Sequence, residues 1–166
     1  MGGLGVNNPL KENPLERLLS FFKARSIRLP VMSLAYSAAV LSKNFDVAVV
    51  DAANLELTEE DTFRSIEALR PDLLISTTSI ATLMQEAAFV SRVKQRCDAI
   101  VGLTGDAATH LVRRVMDEYP IDFVIKGDEP EGILSQLTPP GDYWKLPGIM
   151  YRDGETVADT GEVAPI

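Results

Sequence analysis

"IVGLTGDAATH", residues 100–110, passes from an apolar run through a glycine turn into a helical pattern, and its reading decides the fold. The run from Asp98 to Gly105 is almost uniformly apolar rather than alternating. Continuous hydrophobicity predicts a strand covered on both faces, as in a parallel sheet. Two more stretches read the same way, "DLLISTT" (72–78) and "IDFVIKG" (121–127), and a third, "FDVAVVDA" (45–52), carries Asp51 at its end. A short first strand is expected at "LGVNNP" (4–9), on the edge of the sheet.

Helix-sized segments separate these runs. Residues 31–43 place Leu34, Ala38 and Leu41 on one stripe. Residues 58–70 open with Thr58 as N-cap and Asp61 three positions on, a variant of the capping box, with Pro71 beyond the end. Residues 79–96 and 106–119 follow, the second stopped by Pro120, and 130–137 forms a last short helix ended near Pro139 and Pro140. Asp153-Gly154 between two β-like runs predicts a hairpin outside this alternation. The expectation is an α/β fold: a doubly wound, mainly parallel five-stranded sheet, helices on both faces and a small C-terminal hairpin. Residues 1–140 form its main unit and 141–166 the hairpin and a linker.

The 166 residues are 46% hydrophobic and 24% charged, with one cysteine and a formal charge of −8. Such a balance argues against an electrostatic grip on nucleic acid or on an anionic membrane. No apolar run approaches the roughly 20 residues a bilayer span needs. No signal peptide is legible, so the cytoplasm is the expected compartment. Cys97 alone can form neither an internal disulfide nor a cysteine-ligated cluster, and reads as an inert thiol.

In open α/β sheets, ligands bind outside the carboxyl ends of the strands, where strand order reverses. Those ends carry Asn8, Asp51, Ser76, Thr77, Thr78, Ser79, Thr104, Gly105, Asp106, Gly127, Asp128 and Glu129. Small and hydroxylated residues admit a large flat ligand close to the backbone. The same residues also serve as helix caps and turn formers, and both readings stand at this point. A dinucleotide site needs a glycine-rich turn after the first strand, whereas "GGLG" precedes it. A phosphoreceiver needs an aspartate where the third strand ends in Ser-Thr-Thr. No Ser/His/Asp set and no phosphate loop is present, and His110 reads as structural or exposed. No catalytic residue and no metal ligand is assigned.

The order of motifs resembles the N-terminal cobalamin-binding-type domain that precedes the radical S-adenosylmethionine domain in many two-domain enzymes, among them the anaerobic oxidative cyclase of the bacteriochlorophyll pathway. The matching elements are "NNP", "LAYSAAVL", "VVDA", "PDLLISTTS", "IVGLTGDAAT", "IDFVIKGDEPEGIL" and "LPGIMYRDGETV", spread over nearly the whole chain. The resemblance implies a Rossmann-like domain that holds cobalamin without a histidine below cobalt, since no Asp-x-His-x-x-Gly occurs. It implies cofactor contacts at Asn8, Ser76, Thr77, Thr78, Thr104, Gly105, Asp106, Gly127, Asp128 and Glu129. The partner it implies is a C-terminal radical domain, beginning about where this chain stops. A 4Fe-4S cluster and S-adenosylmethionine would belong to that domain, and this segment alone would bind rather than catalyse.

Where the family often reads Gly-Gly-Pro-His-Ala-Thr, this chain has Thr104-Gly105-Asp106-Ala107-Ala108-Thr109; where it often reads Gly-Glu-Gly-Glu, Gly127-Asp128-Glu129-Pro130 stands. A side chain at 104 and the rigid Glu129-Pro130 pair narrow the space. They favour the alternative of a cofactor-less docking or substrate-shaping domain of the same fold.

Overall fold

The computed structural model describes residues 32–127, 129–139 and 141–161. The expected strand at 4–9 and the site residues Asn8 and Asp128 lie outside the described residues. In chain order the elements are α1 (Met32–Leu41), α2 (Glu59–Leu69), β1 (Leu73–Thr77), α3 (Leu83–Cys97), β2 (Ile100–Thr104), α4 (Asp106–His110), α5 (Val112–Glu118), β3 (Phe123–Ile125), α6 (Glu131–Leu134), a 3-10 turn (Tyr143–Lys145), β4 (Ile149–Asp153) and β5 (Thr156–Asp159). The five strands form one sheet in the order β1-β2-β3-β4-β5. β1, β2 and β3 are parallel, while β4 and β5 join antiparallel.

Both faces are covered, as continuous hydrophobicity requires. On one face Leu74, Val101, Leu103, Val124 and Met150 pack under α3, α4 and α5. On the other, Leu73, Ile75, Phe123, Ile125 and Ile149 pack under α1, α6 and Tyr143. Gly102 faces the second layer. A side chain there would stand 2.3 Å from Phe123 Cζ, so the glycine makes room for that ring. The ring in turn stacks on Tyr143, with centroids 4.4 Å apart.

Several expectations are corrected. Residues 46–51 form no strand; they run as irregular chain before α2. A continuous apolar run stabilises a strand only when both faces are covered, and Val49 is 51% exposed. Asp51 instead closes a local turn, its carboxylate accepting from Asn54 N at 3.2 Å and Asn54 Nδ2 at 2.6 Å. Without that strand, the described strands follow one another in sequence order and show no reversal. The segment around Asp153-Gly154 is not an appendage: β4 pairs with β3, so the sheet is parallel over β1–β3 and continues antiparallel through β4 and β5. Ile149 and Met150 enter the two core layers, and the Arg152 guanidinium reaches the carbonyls of Met116, Tyr119 and Ile121 at and just after the end of α5.

Three helices differ from their expected bounds, the one read over 130–137 being helical only from Glu131 to Leu134. The one read from 79 begins at Leu83, because Ser79 to Thr82 close a turn, with Leu83 N donating to Ser79 O at 2.9 Å. The helix read over 106–119 breaks into α4 and α5 at Leu111, whose φ of −111° and ψ of 17° leave the helical region. Thr109 Oγ1 donates to Gly105 O within α4, the back-bond that bends helices. The Thr58 cap forms as read: its hydroxyl accepts from Asp61 N at 3.1 Å and itself donates to the Asp61 carboxylate.

β5 is tied to β3 through charge. Lys126 Nζ lies 2.5 Å from Asp159 Oδ1, which also accepts from Gly161 N at 2.9 Å. Burial pushes the Asp159 carboxyl up, but Lys126, the Gly161 amide and the charge of Arg113 outweigh it and hold the group below its ordinary value. The stabilisation from this pair is therefore complete above about pH 4, the ordinary value, and is lost as pH falls through the lowered one. The melting temperatures of the native chain and Asp159→Asn are expected to differ by a constant amount above pH 5 and to converge below pH 4. A difference that does not shrink as pH falls below 4 would refute the linkage.

Candidate functional site

The carboxyl ends of β1 and β2 stand level, with Thr77 opposite Thr104 in the parallel register. Their loops, together with the one after β3, form an edge whose described residues are 77–82, 104–106, 126, 127 and 129. Strand alternation and local hydrogen bonds then sort the candidate residues.

Ser76 turns away from the edge: its hydroxyl donates to Glu86 Oε2 of α3 at 3.2 Å. Thr77 lies on the opposite face and is half-buried. Thr78 is buried and doubly bound to the next strand, its N–H and Oγ1 both donating to Thr104 O, at 2.8 Å and 3.1 Å. Thr104 is 1% exposed, and its hydroxyl has no hydrogen-bond partner among the described residues. Gly105 adopts φ 116° and ψ 162°, and a side chain there would meet Thr78 O at 2.4 Å. That glycine serves a close approach of two backbones, not clearance for a ligand.

The rest of the edge is open. Gly127 adopts φ 101° with no described residue within 4 Å of where a side chain would stand. Asp106 and Glu129 are exposed, and Ile80 in the loop after β1 is 77% exposed. Asp106 Oδ1 lies 3.0 Å from His110 Nε2, both side chains in solvent, one turn apart on α4. Thr104, Gly105 and Thr78 thus build the floor, while Thr77, Asp106, Gly127 and Glu129 remain for a ligand.

Thr109 was missed in the sequence. Its hydroxyl accepts from Gly127 N at 2.9 Å and donates to Gly105 O at 3.2 Å, joining the loops after β2 and β3. A threonine four residues after a strand-end glycine signals the second bond. The first crosses between loops and leaves no mark in the sequence.

Two depressions formed by described residues lie elsewhere. One of about 460 Å³ runs along His110, Leu111, Arg113, Arg114 and Asp117 outside the α4–α5 break. The other, of about 290 Å³, lies between α2 and α3, under Arg96 stacked on Phe63. Among the described residues no group of three or more His, Cys, Asp or Glu is placed to hold a metal ion, and no helix is long and apolar enough to cross a membrane. Cys97 is a free, half-buried thiol at the end of α3. No protein-family model, curated protein or solved structure matches the chain.

Proposed function

We propose that the chain is a corrinoid-binding domain that holds cobalamin across the carboxyl edge of β1, β2 and β3 and presents it to a radical S-adenosylmethionine domain. The observation that carries this reading is the open backbone at Gly127 beside two strand ends in register. A broad ring can approach such an edge closely, because no side chain projects from position 127. Thr77 and the exposed Asp106 and Glu129 are suited to the amide-bearing rim, since carboxylates and hydroxyls accept hydrogen bonds from primary amides. Ile80 offers an apolar contact to the ring. When bound, the corrinoid supplies cobalt-centred group-transfer or electron-transfer chemistry. This chain's own part would be to bind and orient it through Thr77, Asp106, Gly127 and Glu129. The iron–sulfur cluster and S-adenosylmethionine belong to the partner domain, and the cytoplasm is the compartment that goes with this reading.

Titration of the purified chain with hydroxocobalamin, followed by gel filtration, tests the reading. Co-elution of colour with protein, and a spectrum lacking a nitrogen ligand below cobalt, is the expected outcome. A colourless protein fraction at large cofactor excess would overturn it.

A second reading has its own observation. Thr104 fills the floor with a buried hydroxyl, unpartnered among the described residues, where the family often has glycine, which favours a docking domain of the same fold without a cofactor. Colourless protein together with tight association of a separately produced radical domain would select it.

A further inference from the structure

Across the carboxyl edge, the three parallel strand ends are joined laterally by side-chain hydroxyls. Thr78 ties the loop after β1 to the carbonyl of Thr104 on β2. Thr109 ties the loop after β2 to the loop after β3, through Gly105 O on one side and Gly127 N on the other. A hydroxyl has one proton to donate, and Thr109 donates it to Gly105 O while accepting from Gly127. No other described residue meets position 127 from the side-chain direction. Gly127 in turn has the backbone freedom that most needs a restraint, at φ 101°.

We infer that Thr109 is a positioning residue: its hydroxyl clamps the loop after β3 to α4 and holds the Gly127 backbone in the conformation that keeps the edge open. The clamp is a property of the chain itself. Its consequence for affinity rests on the corrinoid reading, and the two are measured separately. A preorganised edge binds more tightly because less ordering remains to be done on binding.

Thr109→Val removes both bonds at nearly constant shape, whereas Thr109→Ser retains them. Amide hydrogen exchange, followed residue by residue, is expected to quicken at Gly127 by about fivefold or more in Thr109→Val, the scale of one lost hydrogen bond. Exchange in β1, β2 and β3 should stay as in the native chain, and Thr109→Ser should restore protection at Gly127. In the hydroxocobalamin titration, Thr109→Val is expected to bind about fivefold more weakly or worse, with the serine variant near native. Thr109→Ala serves in place of valine should the branched variant fail to fold. Unchanged exchange at Gly127 overturns the clamp, as does a rise spread evenly over the sheet or a serine variant that behaves like valine. If the native chain binds no corrinoid, the function proposed above falls, while the exchange result still decides the clamp.

Discussion

Gly105→Ala is expected to cost about 3 kcal/mol or more of folding stability, a large share of the roughly 5–15 kcal/mol typical of a domain. Two independent causes add at this position. The φ of 116° with ψ of 162° lies in a region open almost only to glycine, at about 1–3 kcal/mol for any other residue. The new methyl would also stand 2.4 Å from Thr78 O and 3.3 Å from Thr78 N. That backbone cannot retreat cheaply, because Thr78 N and Oγ1 are both bonded to Thr104 O. Urea denaturation should show the midpoint falling with an unchanged slope. A loss below about 1 kcal/mol would mean that the loop after β1 shifts aside freely, against this account.

Phe123→Ala should cost about 3–5 kcal/mol, the range for deleting a fully buried aromatic ring. The ring is 0% exposed, stacks on Tyr143 and fills the space left by Gly102. The fit between Phe123 and Gly102 makes a sharper expectation. In the native background Gly102→Ala should cost about 1–3 kcal/mol by overpacking. In the Phe123→Ala background the same methyl enters an empty space and should be close to neutral. Urea melts of the four proteins therefore should give a coupling of at least about 1 kcal/mol. Strict additivity would mean that the ring and the glycine are not packed against each other.

Local signals were read well and directional ones were not. Thr58 and Asp61 mark the start of α2 because a cap is a contact over three residues, visible in the sequence itself. The strands β1, β2 and β3 are legible from their continuous apolar runs. That same continuity hid the facing of Ser76: with both faces covered, the sequence does not say which one carries α3, and the hydroxyl meets Glu86. Residues 46–51 have the composition of a strand, but strand formation depends on neighbours that composition does not contain. The attachment of β4 to β3 rests on a backbone ladder, on the burial of Ile149 and Met150, and on Arg152 reaching carbonyls more than thirty residues away. At the candidate site, the positions of the strand ends were legible, while the division into floor and open edge was not. Gly105 and Gly127 look alike in sequence, and only the approach of Thr78 to one of them tells them apart.

The sequential strand order bears on how the molecule is made. Each strand from β2 to β5 pairs with the one synthesised just before it. A nascent chain can therefore extend the described sheet in the order of translation, each strand meeting a partner already made. α1 is placed differently. It packs against α6, and Asn44, just after it, donates to Leu137 O across 93 residues. The described cover over Phe123 and Ile125 is thus complete only once Ile133, Leu134, Leu137 and Tyr143 have joined α1, and until then that side of the growing sheet is the apolar surface the cell's chaperones would meet.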